Sequence, residues 1–165
     1  MADKAMDVYL NDHLAGAMLG SDLAKQIRAR SEGTPLADIM GSVAPQIEED
    51  RQTLIALMAR IGTSRNPVKR AVGWVTEKAS RVKLSGLTAG EPDLGIFMSL
   101  ETLALGVKGK LGLWTALQQV ADRYPAIGSV DLDRLIERAQ NQYDLLEHAR
   151  LSAGAEALTP GQASP

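Results

Sequence analysis

Apolar residues recur at steps of four and three along most of this chain, and one such row contains a carboxylate. Leu36, Met40, Val43, Ile47, Asp50, Leu54, Leu57 and Ile61 form the inner seam of a helix that is apolar at every position but Asp50. The same periodicity predicts a first helix over about 5–30, with Tyr9, Leu10, Leu14, Ala17, Leu23 and Ile27 inward. Further helices are predicted over about 67–83 (Val68, Val72, Val75, Ala79, Val82), 93–123, and 131–152 (Leu132, Leu135, Ile136, Ala139, Tyr143, Leu146).

Punctuation agrees with these periods. Ser31-Glu-Gly-Thr-Pro35 ends the first helix and offers Thr34 as a cap, with Pro35 at the first position of a helix reaching about Ile61. Pro45 inside that helix predicts a kink near Ser42 or a short helix followed by a longer one. Gly62 to Pro67 reads as a stop and a new start with Asn66 as cap, and Tyr124-Pro-Ala-Ile-Gly128 turns the chain before the last helix. Residues 1–154 read as one helical domain. The small, polar, Pro- and Gly-containing stretch 155–165 reads as a disordered tail.

Two long hairpins are thus joined by about thirty residues containing an extra helix. A helix of about 25 Å in that link lets the chain return along the bundle, so the second and third long helices run the same way. One long crossover is the ferritin-like arrangement of a four-helix bundle. Matching positions by level then places His13 near Asp50, with Lys108 or Glu101 on the third long helix and Tyr143 or Glu147 on the fourth.

Composition narrows the chemistry. Of 165 residues, 45% are hydrophobic but only 4% aromatic, which suits a core of aliphatic helices. There is no cysteine, excluding disulfides, thiolate metal sites and a cysteine nucleophile, in keeping with a cytoplasmic protein. No stretch reaches the ~20 apolar residues of a transmembrane segment. The net charge of −2 gives no general attraction to nucleic acid. No phosphate loop, nucleophile elbow, zinc-protease motif or dinucleotide fingerprint is present, so the chain reads as non-enzymatic.

The sequence resembles the ferritin-like superfamily, in particular its small bacterial members. The resemblance rests on Tyr9-Leu-Asn-Asp-His13, Ile47-Glu-Glu-Asp-Arg-Gln-Thr-Leu54, Glu101 and Tyr143-Asp-Leu-Leu-Glu-His148, and covers most of 5–152. It implies a di-metal centre with Glu on two helices and Glu-x-x-His on two more. This chain departs from that pattern. Asp50 is followed at the third step by Thr53, Glu137 by Gln140 and Asp144 by Glu147, so the motif is degenerate. A lysine at the same height brings a fixed cation where metal would sit. The favoured expectation is therefore a metal-free buried polar network of His13, Asp50, Lys108 and Tyr143, in a protein with a structural or partner-binding role. The alternative is an iron or manganese site built from His13, Asp50, Glu101 and Glu147. A plainer reading has the Pro45 kink turning Asp50 to solvent.

Charge is uneven. From Arg60 to Lys83 there are seven basic residues against Glu77 alone. Trp74 shares a face there with Arg70, Lys78 and Arg81, a surface suited to an anionic partner such as acidic lipid, acidic protein or nucleic acid without sequence specificity. The small-residue row Gly95, Ser99, Thr102, Gly106 and Gly109 suits close packing, including between two protomers of a homodimer. Gly16-x-x-x-Gly20 marks a second expected close approach.

Overall fold

The computed structural model describes residues 3–63 and 90–159. Among these residues every regular element is a helix. The basic segment expected at 67–83, with Arg70, Trp74, Lys78 and Arg81, lies outside them, as does the end of the tail.

Four helices of 26 or 27 residues dominate: α1 (Lys4–Arg30), α2 (Leu36–Ile61), α3 (Pro92–Gln118) and, after the short α4 (Pro125–Gly128), α5 (Leu132–Ala157). Each is about 40 Å long. None is long and apolar enough to cross a membrane. The apolar seams meet in two clusters. One joins Leu23, Ala24 and Ile27 of α1 to Met40, Val43 and Ile47 of α2, Leu100, Leu103 and Val107 of α3, and Leu146 and Ala149 of α5. The other joins Leu10 and Leu14 to Leu54, Leu57 and Met58, Leu113, Trp114 and Leu117, and Leu132, Leu135 and Ala139. The late part of α1 therefore sits with the early parts of α2 and α3 and the late part of α5. So α2 and α3 run in one direction, α1 and α5 in the other. Ile61 and Pro92 lie at opposite ends of the molecule.

Local structure departs from the sequence expectation at several ends, for physical reasons. Thr34 does not cap α2: its hydroxyl donates back to the Ser31 carbonyl at 2.7 Å, and Pro35 itself occupies the cap position. The turn instead uses Gly33 at φ +77°, where a side chain would be strained. Gly62, at φ +79°, closes α2 through its N–H on the Met58 carbonyl at 3.1 Å. Pro45 neither ends α2 nor splits it. The proline lies on the exposed side, so the carbonyl that loses its helical donor faces toward solvent.

The third long helix stops at Gln118, short of the expected 123, and gives way to a 3-10 turn over Ala121–Arg123. Asp131 caps α5 by accepting from the Arg134 N–H at 3.1 Å. At its far end α5 runs to Ala157, past the boundary drawn at 152–154. Gly154 explains part of this: a Cβ there would stand 2.8 Å from the Phe97 ring, so the glycine lets α5 pass closely over α3. The α3–α5 pairing is the most extensive in the molecule.

The other small-residue expectations fare differently. A Cβ on Gly20, Gly106, Gly109 or Gly112 would meet nothing within 4 Å among the described residues, so these glycines are not close-approach points between the described helices.

Replacing Gly154 with Val should destabilise the fold by about 1–3 kcal/mol through overpacking. Much of that loss should disappear when Phe97 is also changed to Ala. Urea unfolding of the two variants checks this, and equal losses in both would show that the Phe97 ring is not the obstacle.

Candidate functional site: a buried ion cluster

The α2 seam carries Asp50 into the interior between its neighbours Ile47 and Leu54. The residue is 1% exposed, so the Pro45 helix does not turn it to solvent. Burial at this depth obliges the carboxylate to find cations and donors. Lys110, on α3, places Nζ 2.5 Å from Asp50 Oδ2. Arg138, on α5, donates Nη2 to Oδ1. Gln142, one turn later on α5 and also 1% exposed, donates Nε2 to Oδ2 at 3.2 Å and to Gln46 Oε1 at 3.1 Å. Its own Oε1 accepts from Lys110 Nζ. Arg138 reaches outward as well, with Nη1 2.8 Å from Glu49 Oε1, while its Nε is buried without a hydrogen-bond partner among the described residues.

The four charges, Asp50 and Glu49 against Lys110 and Arg138, balance. Burial pushes the Lys110 ammonium below its usual range, partly opposed by Asp50 and reinforced by Arg138. For Arg138 burial works against the charged form, but the bonds to Glu49 and Asp50 outweigh it and raise its pKa. Arg138 in turn holds Glu49 below the ordinary carboxylate range.

The residues expected around Asp50 lie elsewhere, and on α3 the level count misses by only two positions. Lys108 is not the cation. It is exposed, with its ammonium 4.7 Å from the centre of the Tyr143 ring. Two residues along a helix is about 200° of rotation, so Lys108 and Lys110 point to opposite sides of α3. Tyr143 is carried away from Asp50 with Lys108.

His13 packs edge-on against Tyr9, with ring centres 4.6 Å apart, and burial lowers its pKa. The α1 residue opposite this part of α2 is Ser21, whose hydroxyl donates to Glu48. The level count across the first hairpin thus misses by about two turns, because α1 and the five-residue turn together push the match toward the α1 C-terminus. Glu101 and Glu147 do not approach Asp50 either. Both are held by Arg150, at 3.3 and 2.7 Å, on the outer side of the α3–α5 seam. The set His13, Asp50, Glu101 and Glu147 is therefore not assembled. Among the described residues no group of three or more His, Asp or Glu side chains is placed to hold a metal ion.

The true partners carried a readable signal. Val107, Lys110, Trp114 and Leu117 continue the α3 seam at steps of three and four, as Leu135, Ala139, Gln142, Leu146 and Ala149 do on α5. Lys110 and Gln142 are the polar interruptions of those rows, the same signature that singles out Asp50. Counting by height overrode it.

Comparison with protein-family models, with curated proteins and with solved structures finds no match to this chain.

A second charge cluster lies on the α1–α2 surface. Glu48 accepts from Arg51 at 2.5 Å, from Ser21, from Gln52 at 2.9 Å and from Lys25 at 3.3 Å. These bonds, Arg51 first, hold its pKa far below the ordinary 4.5.

Two measurements test these assignments. Lys110→Met should cost about 1–3 kcal/mol, since Arg138 still answers Asp50. Lys110→Met with Arg138→Met should raise the loss to the order of 3–5 kcal/mol by leaving a buried acid unpaired, whereas Lys108→Met should stay below about 1 kcal/mol. Chemical denaturation gives all three, and a Lys108 effect as large as that of Lys110 would overturn the pairing. For Glu48 the folded pKa is depressed, so its contribution is present above 4.5 and is lost as pH falls below that value. The melting temperature of the wild type should then fall more steeply on acidification than that of Glu48→Gln; parallel curves would refute it.

Proposed function

We propose that this chain is a metal-free, ferritin-like four-helix bundle with a long crossover, serving a structural or partner-binding role and not a catalytic one. In this reading the layer of Asp50, Lys110, Arg138, Gln142 and Gln46 occupies the interior position that carboxylate bundles give to a di-metal centre. The observation that carries the proposal is the double neutralisation of Asp50 by Lys110 and Arg138. A divalent cation entering there would have to displace an ammonium and a guanidinium from Asp50, the one buried acid among the described residues, and would meet amide oxygen in place of imidazole. The common direction of α2 and α3, and the length of chain between Ile61 and Pro92, support the crossover.

Self-association fits the same reading. Leu105, Leu151 and Leu158, on the outer faces of α3 and α5 and just beyond, are each more than half exposed. The basic stretch with Arg70, Trp74, Lys78 and Arg81 is the candidate surface for an anionic partner.

The test is metal content. Untagged protein exposed to ferrous iron, manganese and zinc, then exchanged into metal-free buffer, should retain no metal that depends on Asp50. One or two equivalents held by the wild type and lost in Asp50→Ala would replace this reading with that of an iron or manganese protein.

A further inference from the structure

Three side chains of the buried layer stand in a relation that charge neutralisation alone does not require. Asp50 Oδ2 touches two nitrogens at once: Lys110 Nζ at 2.5 Å and Gln142 Nε2 at 3.2 Å. The same Lys110 Nζ donates to Gln142 Oε1. An amine, an amide and a carboxylate thus form a closed triangle, nearly sealed from water, with the side chains of Asp50, Gln142 and Lys110 at 1%, 1% and 14% exposure.

We propose that Lys110 and Gln142 are the site of an autocatalytic isopeptide cross-link between α3 and α5, with Asp50 as the proton-transfer residue. The proposal rests on the buried layer described above but asks more of it than structural pairing.

The step balances without any added reagent. Asp50 takes a proton from the Lys110 ammonium, and the freed amine attacks Cδ of Gln142. The Nζ–Cδ bond forms and the Cδ–Nε2 bond breaks. Asp50 returns its proton to the departing Nε2, which leaves as ammonia and carries off, as ammonium, the proton shed by the new amide nitrogen. No electrons are exchanged with any oxidant.

Geometry favours each part. Cδ lies one carbonyl bond, about 1.23 Å, from the oxygen that accepts from Nζ. Rotation of the soft terminal amide torsion swings Oε1 and Nε2 about the Cγ–Cδ bond and turns the face of the carbonyl, with Cδ itself unmoved. Burial also disfavours the Lys110 ammonium, which raises the share of the nucleophilic form.

Arg138 selects the electrophile. It bonds Asp50 Oδ1, and a carboxylate so paired is a poor target for an amine. The neutral Gln142 amide is the better one. Once the link forms, Lys110 no longer carries charge, and Asp50 keeps Arg138 as its counter-ion.

The experiment is an intact mass of the denatured full-length protein after native purification and prolonged incubation, followed by peptide mapping. The expected result is a chain lighter than its sequence by one ammonia, with a peptide around Lys110 joined to one containing Gln142. Lys110→Arg and Asp50→Asn should each have the full sequence mass. The wild-type spectrum decides the matter even if a variant fails to fold. A full-mass wild type overturns the proposal, as does loss of water in place of ammonia, which would mean a Lys110–Asp50 link. A deficit that maps elsewhere or survives in Lys110→Arg also overturns it. Chain mass and metal content are read separately, so failure of the cross-link and failure of the metal-free reading are told apart.

Discussion

The constraint on which this fold turns is that an ionised carboxylate inside an apolar seam has to be answered from other helices. Asp50 cannot be satisfied from α2: the side chains one turn away on its inner face are Ile47 and Leu54. Its counter-ions come from α3 and α5, and each must arrive at one height and one rotation. Lys110 fixes the angle of α3, because a change of two positions would present Lys108 on the opposite side. Arg138 and Gln142, one turn apart, fix α5 in the same way. Three helices are thereby set in register by one acid. Apolar seams are more permissive, since Leu against Leu tolerates repacking.

That register device has an energetic side. Pairs of buried ions are often no more stable than apolar residues of the same volume, so the layer is not explained as a source of stability. It also divides the core. The apolar cluster around Met40, Val43 and Leu103 is separated along the helix axes from the one around Leu54, Leu57 and Trp114, with the polar side chains between them. At this level the α2–α5 pairing is sparse, and the long side chains of Gln46, Glu49, Arg138 and Gln142 bridge it, whereas α3 and α5 approach closely enough to need Gly154. A specificity role accounts for the charges. It does not by itself account for an amide locked against the amine.

Most of the helical architecture was legible in the sequence because it depends on local periodicity. The inner rows of α1, α2 and α5, the Asp131 cap and the breaks at Gly33 and Gly62 all follow from residue type and spacing. The site was legible only in part. Asp50 announces itself as the interruption of a row, and its burial follows from the neighbours on that row. Which cation meets it depends on the rotation of α3, and one residue is worth 100°. Estimating height by counting turns misses by two positions on α3, which exchanges Lys110 for Lys108, and by about two turns across the first hairpin, which misplaces His13. Glu101 and Glu147 have helical spacing suited to a shared site, yet Arg150 reaches both first on the outer seam. Long-range pairing among several equally charged candidates is set by tertiary geometry, which spacing does not encode.

The resemblance to metal-carboxylate bundles and the observed cluster answer the same physical question differently. Acids gathered inside a helical bundle need positive charge, and divalent cations supply it densely at the cost of requiring several ligands of fixed geometry. With one buried acid, one ammonium and one guanidinium suffice, and both arrive covalently attached to the helices they position. That substitution changes what the interior can do. A metal centre is open to ligands and to electron transfer, whereas in the observed cluster the Asp50 oxygens are already engaged by Lys110, Arg138 and Gln142. The cluster also holds the groups for chemistry among its own members, and the proposed condensation joins the amine to the amide whose oxygen already accepts from it.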